Sequence, residues 1–450
     1  MVETKNLLPA KLLPVTVAAL GIEASWLALR TVDNLRLEIV PTIVCLLSTS
    51  LVYLVSVFWI SRDSHRTRGN PLGFFILGAA VVFRLTVWPL YPASSNDVFR
   101  YHWEGKLQVE GHGNPYLVAP SDPARVALRD LTYGNVVLPD NKTIYGPAIE
   151  LEQRAWYGVL QMMGVTDPFV RVFWFKAPSA LFDLLTIGAV WLWLRARGDP
   201  VEWVLIYAWC PLPVFEFWVN GHNDSLLICL LVMALWMDAR GRYGWSAAAL
   251  AMSAATKLWP AVLWPWILVR RGWRSALWAV VPVALLSAPY VADVLENAQY
   301  ASGFLGGWRN NDSLYGVILW ACGGDVYYAK YATFAILAGV VAVVLWKKLP
   351  FADAALVIIT VMLAISANVH PWYLTWIVPL LAVNPAAPLL LWVALVPLHY
   401  VVLIAYHTVG AWNGVTDSRW FVYAPVYSFA VLCWVISRFR TASRATGSDR

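Results

Sequence analysis

Asp97, Arg100, Tyr101 and Glu104 follow one another at spacings of three and four in Asn96-Asp97-Val98-Phe99-Arg100-Tyr101-His102-Trp103-Glu104-Gly105. On a helix starting near 94–96 the four share one face. A carboxylate held at a membrane surface beside cationic and phenolic partners can act as a general base on an attacking hydroxyl. Ser94-x-x-Asp97 also fits a capping box, in which these residues do no more than start the helix. A few residues on stands Gly111-His112-Gly113-Asn114-Pro115-Tyr116, where the glycines and Asn-Pro mark tight turns. Asn114 and Tyr116 either fold that loop back on itself or contact a sugar.

Three later patches carry the same kind of chemistry. Asn220-Gly221-His222-Asn223-Asp224 joins two apolar runs. Turn and capping needs account for Asn220, Gly221 and one of Asn223 or Asp224. They do not account for His222 together with a second carboxamide or carboxylate, so a ligand-facing role stands beside the turn. Lys257, in Thr256-Lys257-Leu258-Trp259-Pro260, lies between short apolar segments. A lysine there either snorkels or meets an anion such as a lipid-linked phosphate. Arg309 in Arg309-Asn310-Asn311-Asp312 is a second such cation or an ordinary solvated charge. His370-Pro371-Trp372-Tyr373 is a proline-broken helix end, fit to wall a sugar or phosphate or to anchor at the interface.

The elements that must position these residues are mostly apolar. Of 450 residues, 60% are hydrophobic and 13% charged, against roughly 25% charged in soluble domains. The expected fold is therefore an all-α, polytopic transmembrane helix bundle, read as one domain over 1–450. Apolar runs lie near 12–30, 39–60, 72–91, 171–194, 201–219, 223–239, 275–291, 329–346, 352–369, 389–407 and 421–437. Shorter ones near 244–257, 258–270 and 372–384 are too brief for a simple span. Segment 145–164 holds Glu150, Glu152 and Arg154, a costly set in lipid, and is expected to lie at the interface. Within 92–170 the chain is then an outer loop with juxtamembrane helices.

Charge fixes the sides. With 145–164 not spanning, one face collects Arg62, Arg66, Arg68, Arg195, Arg197, Arg240, Arg242, Arg270, Arg271, Arg274, Lys347, Lys348, Arg438, Arg440 and Arg444. That is the positive-inside pattern, with both termini cytoplasmic and about fourteen crossings. Loop 92–143, the patch at 220–224, loop 292–313 and the patch at 367–373 then face outward. They bring His102, His112, His222 and His370 to one side.

Several functions are excluded or unsupported. The net charge of +6 forms no basic stripe for nucleic acid. Phosphate loops and dinucleotide-binding glycines are missing, which removes support for cytoplasmic ATP-driven chemistry. Cys45, Cys210, Cys229, Cys322 and Cys433 are scattered, and no His or Cys pair has metal spacing. No metal ligand is assigned and no cofactor is certain; a carboxylate-bound divalent cation stays open, because oxygen ligands need no recognisable spacing. No internal repeat or matched pair of broken helices favours a secondary transporter. Arg84, Asp183 and Glu216 sit within spans, where two are expected to pair structurally.

In this order the motifs resemble the bacterial GT-C glycosyltransferases, and most of all the polyprenyl-phosphate-mannose-dependent mannosyltransferases. The likeness rests on Asn96-Asp97-Val98-Phe99-Arg100-Tyr101, Trp103-Glu104-Gly105, Gly113-Asn114-Pro115-Tyr116, Tyr145-Gly146-Pro147, Asn220-Gly221-His222-Asn223-Asp224, Lys257 and His370-Pro371-Trp372-Tyr373. It covers roughly 80–400. It implies a GT-C fold in the bacterial inner or plasma membrane with the active site on the outer face. It also implies a polyprenyl-phosphate sugar donor, with mannose as the sugar, and a lipid, glycan or protein acceptor. Asp97 would deprotonate the acceptor hydroxyl, which attacks the anomeric carbon with inversion. Lys257 and Arg309 would stabilise the leaving phosphate, and Asn96 and Tyr145 join the substrate-binding set. The family often carries Pro-Pro after the tyrosine; here the pair is Gly146-Pro147. Two other readings compete: a flippase or transporter of lipid-linked sugars, and a structural scaffold in an envelope complex.

Overall fold

A computed structural model describes residues 7–62, 71–92, 94–290, 309–409 and 417–447. Arg66, Arg68 and most of loop 292–313, Trp308 included, lie outside the described residues. The described residues form helices joined by loops, the longest of them between Val109 and Pro147, and contain no strand; their only extended pairing is a single bridge between Asn310 and Asn368.

Among the described residues, six helices are long and apolar enough to cross a membrane: Leu12–Leu29, Ile39–Ser61, Pro168–Arg197, Val326–Trp346, Ala387–Tyr406 and Arg419–Arg438. Pro71–Val87 and Phe351–Ala364 are shorter apolar helices. The fourteen crossings expected from the sequence exceed this set. Much of the difference lies in runs that proline interrupts. The apolar stretch 201–219 divides at Pro211, and 258–270, 275–291 and 372–384 divide into short turns around Pro260, Pro265, Pro282, Pro289 and Pro379. Proline removes a backbone donor and clashes with the preceding turn. Such breaks are tolerated at membrane depth where protein surrounds them, and the 205–219 stretch is buried along its whole length.

Helices α1 (Leu7–Leu29), α2 (Ile39–Arg62) and α3 (Pro71–Val87) pack together and share a large apolar core with the middle and end of the chain. Their outer faces stay apolar, as does Val326–Trp346, of which only 11% is buried. Lipid-facing helices look like this, since apolar surface needs no cover in hydrocarbon. Inside the bundle Arg84 is fully buried; its Nε meets Asp183 Oδ2 at 2.5 Å and its Nη1 donates to the Ala208 carbonyl at 2.7 Å. Tyr207 and Trp218 also donate to Asp183. This is the expected intrabundle pair.

Helix α4 (Asp97–Val109) and helix α5 (Pro147–Met162) stand apart from that core. With α6 (Pro168–Trp174) they close a small separate core of Val98, Phe99, Tyr101, Trp103, Tyr157, Leu160, Val172 and Phe175. Pro147 pre-sets the first turn of α5. The ionisable residues expected to keep this segment out of lipid are divided between faces: Glu150 points into the α4 contact and Arg154 is exposed. Helix α7 (Ala177–Arg197) follows and carries Asp183 into the bundle.

Candidate functional site

The site begins where the chain leaves α3 and enters α4. The link between them is held by Lys176, a buried cation at the start of α7. Its Nζ donates to the carbonyls of Trp88 at 2.7 Å and Leu90 at 2.6 Å and lies over the rings of Trp88 and Phe173. The Ser94 hydroxyl bonds the side chain of Asn220. Asn96 is the residue before the first turn and makes no side-chain cap bond, so the capping box is not formed. Asp97 receives only the support of Ser95, whose Oγ accepts from its backbone N–H at 3.3 Å.

Asp97 therefore keeps its carboxylate for other partners. Its side chain is 23% exposed, and Oδ2 lies 3.8 Å from His222 Nδ1. Burial of this carboxyl group pushes its pKa up to about 6; the Asp224 charge adds to the shift, while Lys257, Ser95 and Arg100 oppose it. A carboxylate tuned toward neutrality is a better proton acceptor than an ordinary one and is still ionised at neutral pH.

The second wall is the turn at 220–224. Gly221 adopts φ +72 and backs onto Lys176, where an added Cβ would sit 3.2 Å from the lysine Cα. Ser179 Oγ holds the Gly221 carbonyl at 3.0 Å. The same stretch of α7 thus fixes both the approach to Asp97 and this turn. His222 is fully buried, with Nε2 3.5 Å from Glu216 Oε2 and its ring stacked on Trp372 at 4.2 Å. Burial pushes its pKa down to about 3, so the ring is neutral. Asn223 is buried, and neither atom of its side-chain amide has a hydrogen-bond partner. Asp224 opens the Asp224–Ala239 helix and is a junction: Oδ1 accepts from Trp376 Nε1 at 2.8 Å, Oδ2 from Lys257 Nζ at 2.6 Å.

Lys257 arrives on a strap that clamps α5. Gly146 N–H donates to the Thr256 carbonyl at 2.8 Å, and Ala148 N–H to the Ala255 carbonyl at 3.0 Å. An added Cβ at Gly146 would fall 2.1 Å from the Ala255 oxygen. Neither a larger residue nor a proline fits this strap, which is the physical reason Gly146 precedes Pro147. Tyr145, next door, lies 5.8 Å from the Lys257 ammonium and edge-on to Tyr101 at 5.4 Å. Tyr116 donates to the Tyr145 carbonyl at 2.8 Å. Burial keeps the Tyr101 and Tyr145 phenols neutral.

The third wall comes from 310 and 370. His370 stacks on Trp372 at 4.2 Å and meets Tyr373 edge-on at 5.4 Å. Asn310 Nδ2 lies 3.1 Å from His370 Nδ1, and Asn310 Oδ1 lies 2.8 Å from His399 Nε2. Arg309 and Arg419 both engage Asp312, at 2.7 and 2.8 Å, with Arg309 43% exposed at the rim.

The structure thus brings Asp97, His222, Asn223, Asp224, Lys257, Tyr101, Tyr145, His370, Trp372 and Tyr373 into one connected set. It does not send all members of the first helix there. Arg100 Nε donates to Glu104 at 2.6 Å, and its other nitrogens donate to the carbonyls of Leu138 and Asn141. Arg100 and Glu104 are buried and fasten α4 to its own loop. Asn114 accepts from the Tyr116 N–H at 2.9 Å and lines a separate cavity of about 240 Å³ with Gln108, His112, Arg154 and Tyr290. Helical rise places that cavity roughly 16 Å along α4 from Asp97. A second cavity of about 290 Å³, bordered by Arg197, Asp238 and Arg271, also excludes Asp97. Sequence reasoning did not single out Lys176, Asn310 or His399 for the site. Lys176 gave a signal, being a lone lysine between Phe175 and Ala177 in an apolar run. Among the described residues, no group of three or more His, Cys, Asp or Glu side chains converges as metal ligands would.

A family model named MptA_B, described as alpha-(1->6)-mannopyranosyltransferase, N-terminal domain, matches residues 11–271. The matched region holds Asp97, His222 and Lys257 and stops short of Arg309 and His370. No curated protein and no solved structure matches the chain.

Proposed function

This chain belongs to the MptA_B family of alpha-(1->6)-mannopyranosyltransferases, and on that footing we propose that it transfers mannose from a polyprenyl-phosphate donor to an acceptor hydroxyl, with Asp97 as general base. The family makes the chain a membrane glycosyltransferase. The donor, the base and the face of the membrane are our reading. The observation that carries it is Asp97 itself: a carboxylate at a helix start, unused by any cap, pushed up to about 6 and standing 3.8 Å from a buried imidazole.

In the proposed reaction Asp97 removes the acceptor proton as the oxygen attacks the anomeric carbon. The bond to phosphate breaks on the opposite face, and the configuration inverts. Lys257 supplies positive charge beside the leaving phosphate. Asn223 offers an amide with both ends unpaired to sugar hydroxyls. Trp372 and Tyr373 wall the sugar, and Arg309 lies at the rim where the lipid phosphate enters. In this reading the set faces outward and the termini lie in the cytoplasm, the arrangement that the basic loops favour under the positive-inside rule. The scheme contains no cofactor step. A flippase of lipid-linked sugars gains no support from membership of a transferase family.

The test is direct. Purified protein in detergent is incubated with radiolabelled polyprenyl-phosphate mannose and a mannan acceptor. Transfer of label to the acceptor supports the reading. Transfer only from a nucleotide sugar would overturn the donor, and full transfer by Asp97→Asn would overturn the base.

A further inference from the structure

The cavity of about 240 Å³ at the far end of α4 takes no part in the chemistry above, yet its walls are fixed. Gln108, His112, Asn114, Arg154 and Tyr290 line it. Gln108 is buried and its amide is held at both ends: Nε2 donates to Glu150 Oε2 at 3.0 Å, and Oε1 accepts from the Tyr290 hydroxyl at 2.6 Å. His112 is exposed and has φ +45, a left-handed conformation that a side chain bears only where its surroundings impose it. They do so here: Arg125 Nη1 holds the Gly111 carbonyl at 2.9 Å, and Gly113 N–H donates to the Leu107 carbonyl at 3.0 Å. Arg154 is exposed on α5 and has no hydrogen-bond or ion-pair partner among the described residues. A row of tyrosines joins this cavity to the site. Tyr101 meets Tyr145 edge-on at 5.4 Å, the Tyr116 hydroxyl donates to the Tyr145 carbonyl at 2.8 Å, and Tyr116 meets Tyr290 edge-on at 5.3 Å. Asp97, Tyr101 and Gln108 follow at spacings of four and seven, on one face of α4.

We infer that this cavity is an acceptor subsite, which holds a neutral glycan several sugars back from the hydroxyl presented to Asp97. The inference rests on the mannosyl-transfer reading above and gives its acceptor a chemical class. Three features select a neutral, hydroxyl-rich ligand. The amides, the imidazole and the guanidinium offer donors and acceptors that pair with sugar hydroxyls, and the Tyr290 ring supplies an apolar wall. Among the described residues that line the cavity, Arg154 is the one permanent charge. Helix α4 ends beside it, and the negative end of a helix disfavours a phosphate. The helical rise of roughly 16 Å from Asp97 exceeds the width of a single sugar ring. A short acceptor seated at Asp97 does not reach the cavity, whereas a longer chain does. The cavity residues bind the acceptor and do not touch the reacting atoms. Their effect therefore falls on acceptor KM and not on the chemical step.

The experiment uses the full-length protein and two synthetic acceptors of alpha-(1->6)-linked mannose, a disaccharide and a hexasaccharide. It measures transfer to each and, without donor, the equilibrium binding of each. The unaltered protein should show a lower KM for the hexasaccharide. Arg154→Ala should raise that KM about tenfold, the worth of one hydrogen bond to a charged group, and leave kcat, donor KM and disaccharide KM unchanged. His112→Gly, which relaxes the strained turn and removes the imidazole, should do the same. A merely structural role for either residue would change both acceptors alike and lower the thermal midpoint. Equal KM for both lengths in the unaltered protein, equal effects of the variants on both acceptors, or displacement of the hexasaccharide by inorganic phosphate would overturn the subsite. Length-dependent binding that Arg154→Ala weakens, in a protein that transfers no mannose from the polyprenyl-phosphate donor, would remove the donor reading and keep the glycan site.

Discussion

Lys257 and Asp224 face each other across 33 residues of chain, with Nζ donating to Oδ2 at 2.6 Å. The lysine has thus found its anion inside the protein. The pair leaves Asp97 without a direct cationic partner and keeps one positive charge close enough to temper its pKa. It also joins the strap at 255–257 to the helix that follows the His222 turn.

Asp97→Asn removes the base and keeps its size. Transfer should fall by about 10²–10⁴-fold, the usual worth of a positioned base. Binding of the lipid donor, measured by equilibrium binding in detergent, should change little. Equal loss of binding and turnover would mean that Asp97 acts on the substrate's ground state instead.

The acidic limb of kcat/KM should fall near pH 6, because Asp97 must be ionised to work and its pKa is about 6. Below that pH the carboxyl is protonated and the rate drops; above it the base form is complete. Lys257→Met deletes a charge that lowers this pKa and leaves Asp224, which raises it, unpaired. The limb should therefore move to higher pH. A limb that stays fixed or moves down would show that another group titrates there.

Gly146→Ala places a methyl group 2.1 Å from the Ala255 carbonyl oxygen, and backbone cannot yield as a side-chain tip can. Destabilisation of about 1–3 kcal/mol is expected from overpacking, read as a lower thermal midpoint. Transfer should fall too, since Tyr145 and Lys257 shift with the strap. A stable and fully active variant would show that the strap opens freely.

Asn223→Ala deletes an amide that has no protein partner. The thermal midpoint should hold or rise, because no internal bond is lost. KM for the donor or the acceptor should rise about tenfold, the equivalent of one hydrogen bond of about 1.4 kcal/mol. An unchanged KM for both substrates would remove Asn223 from the binding set.

Much of this was legible in the residues. The apolar content pointed to an all-helical membrane protein, and the clusters at 97, 222–224, 257 and 370 do meet. Helical spacing was the weaker guide. Asp97, Arg100, Tyr101 and Glu104 share a helix, yet Arg100 turns to Glu104 and to the carbonyls of 138 and 141, partners that no local pattern reveals. Spacing places side chains on a face and does not say what covers that face. Lys176 stood out as a lone lysine in an apolar run, but its role did not: its partners are the backbone oxygens of residues 88 and 90, which leave no mark in a sequence. The count of crossings depends on proline-broken runs, where length alone is a poor measure of depth.

Asp224 divides its two oxygens between Lys257, from the matched portion of the chain, and Trp376, from beyond it. His222 leans on Trp372 in the same way. A fragment ending at 271 would carry Asp97, His222 and Asp224 but lose the indoles of Trp372 and Trp376 that pack on and bond to the latter two. Such a fragment should reach the bilayer and remain inert. For this enzyme the recognisable half and the working half are not the same piece of polypeptide.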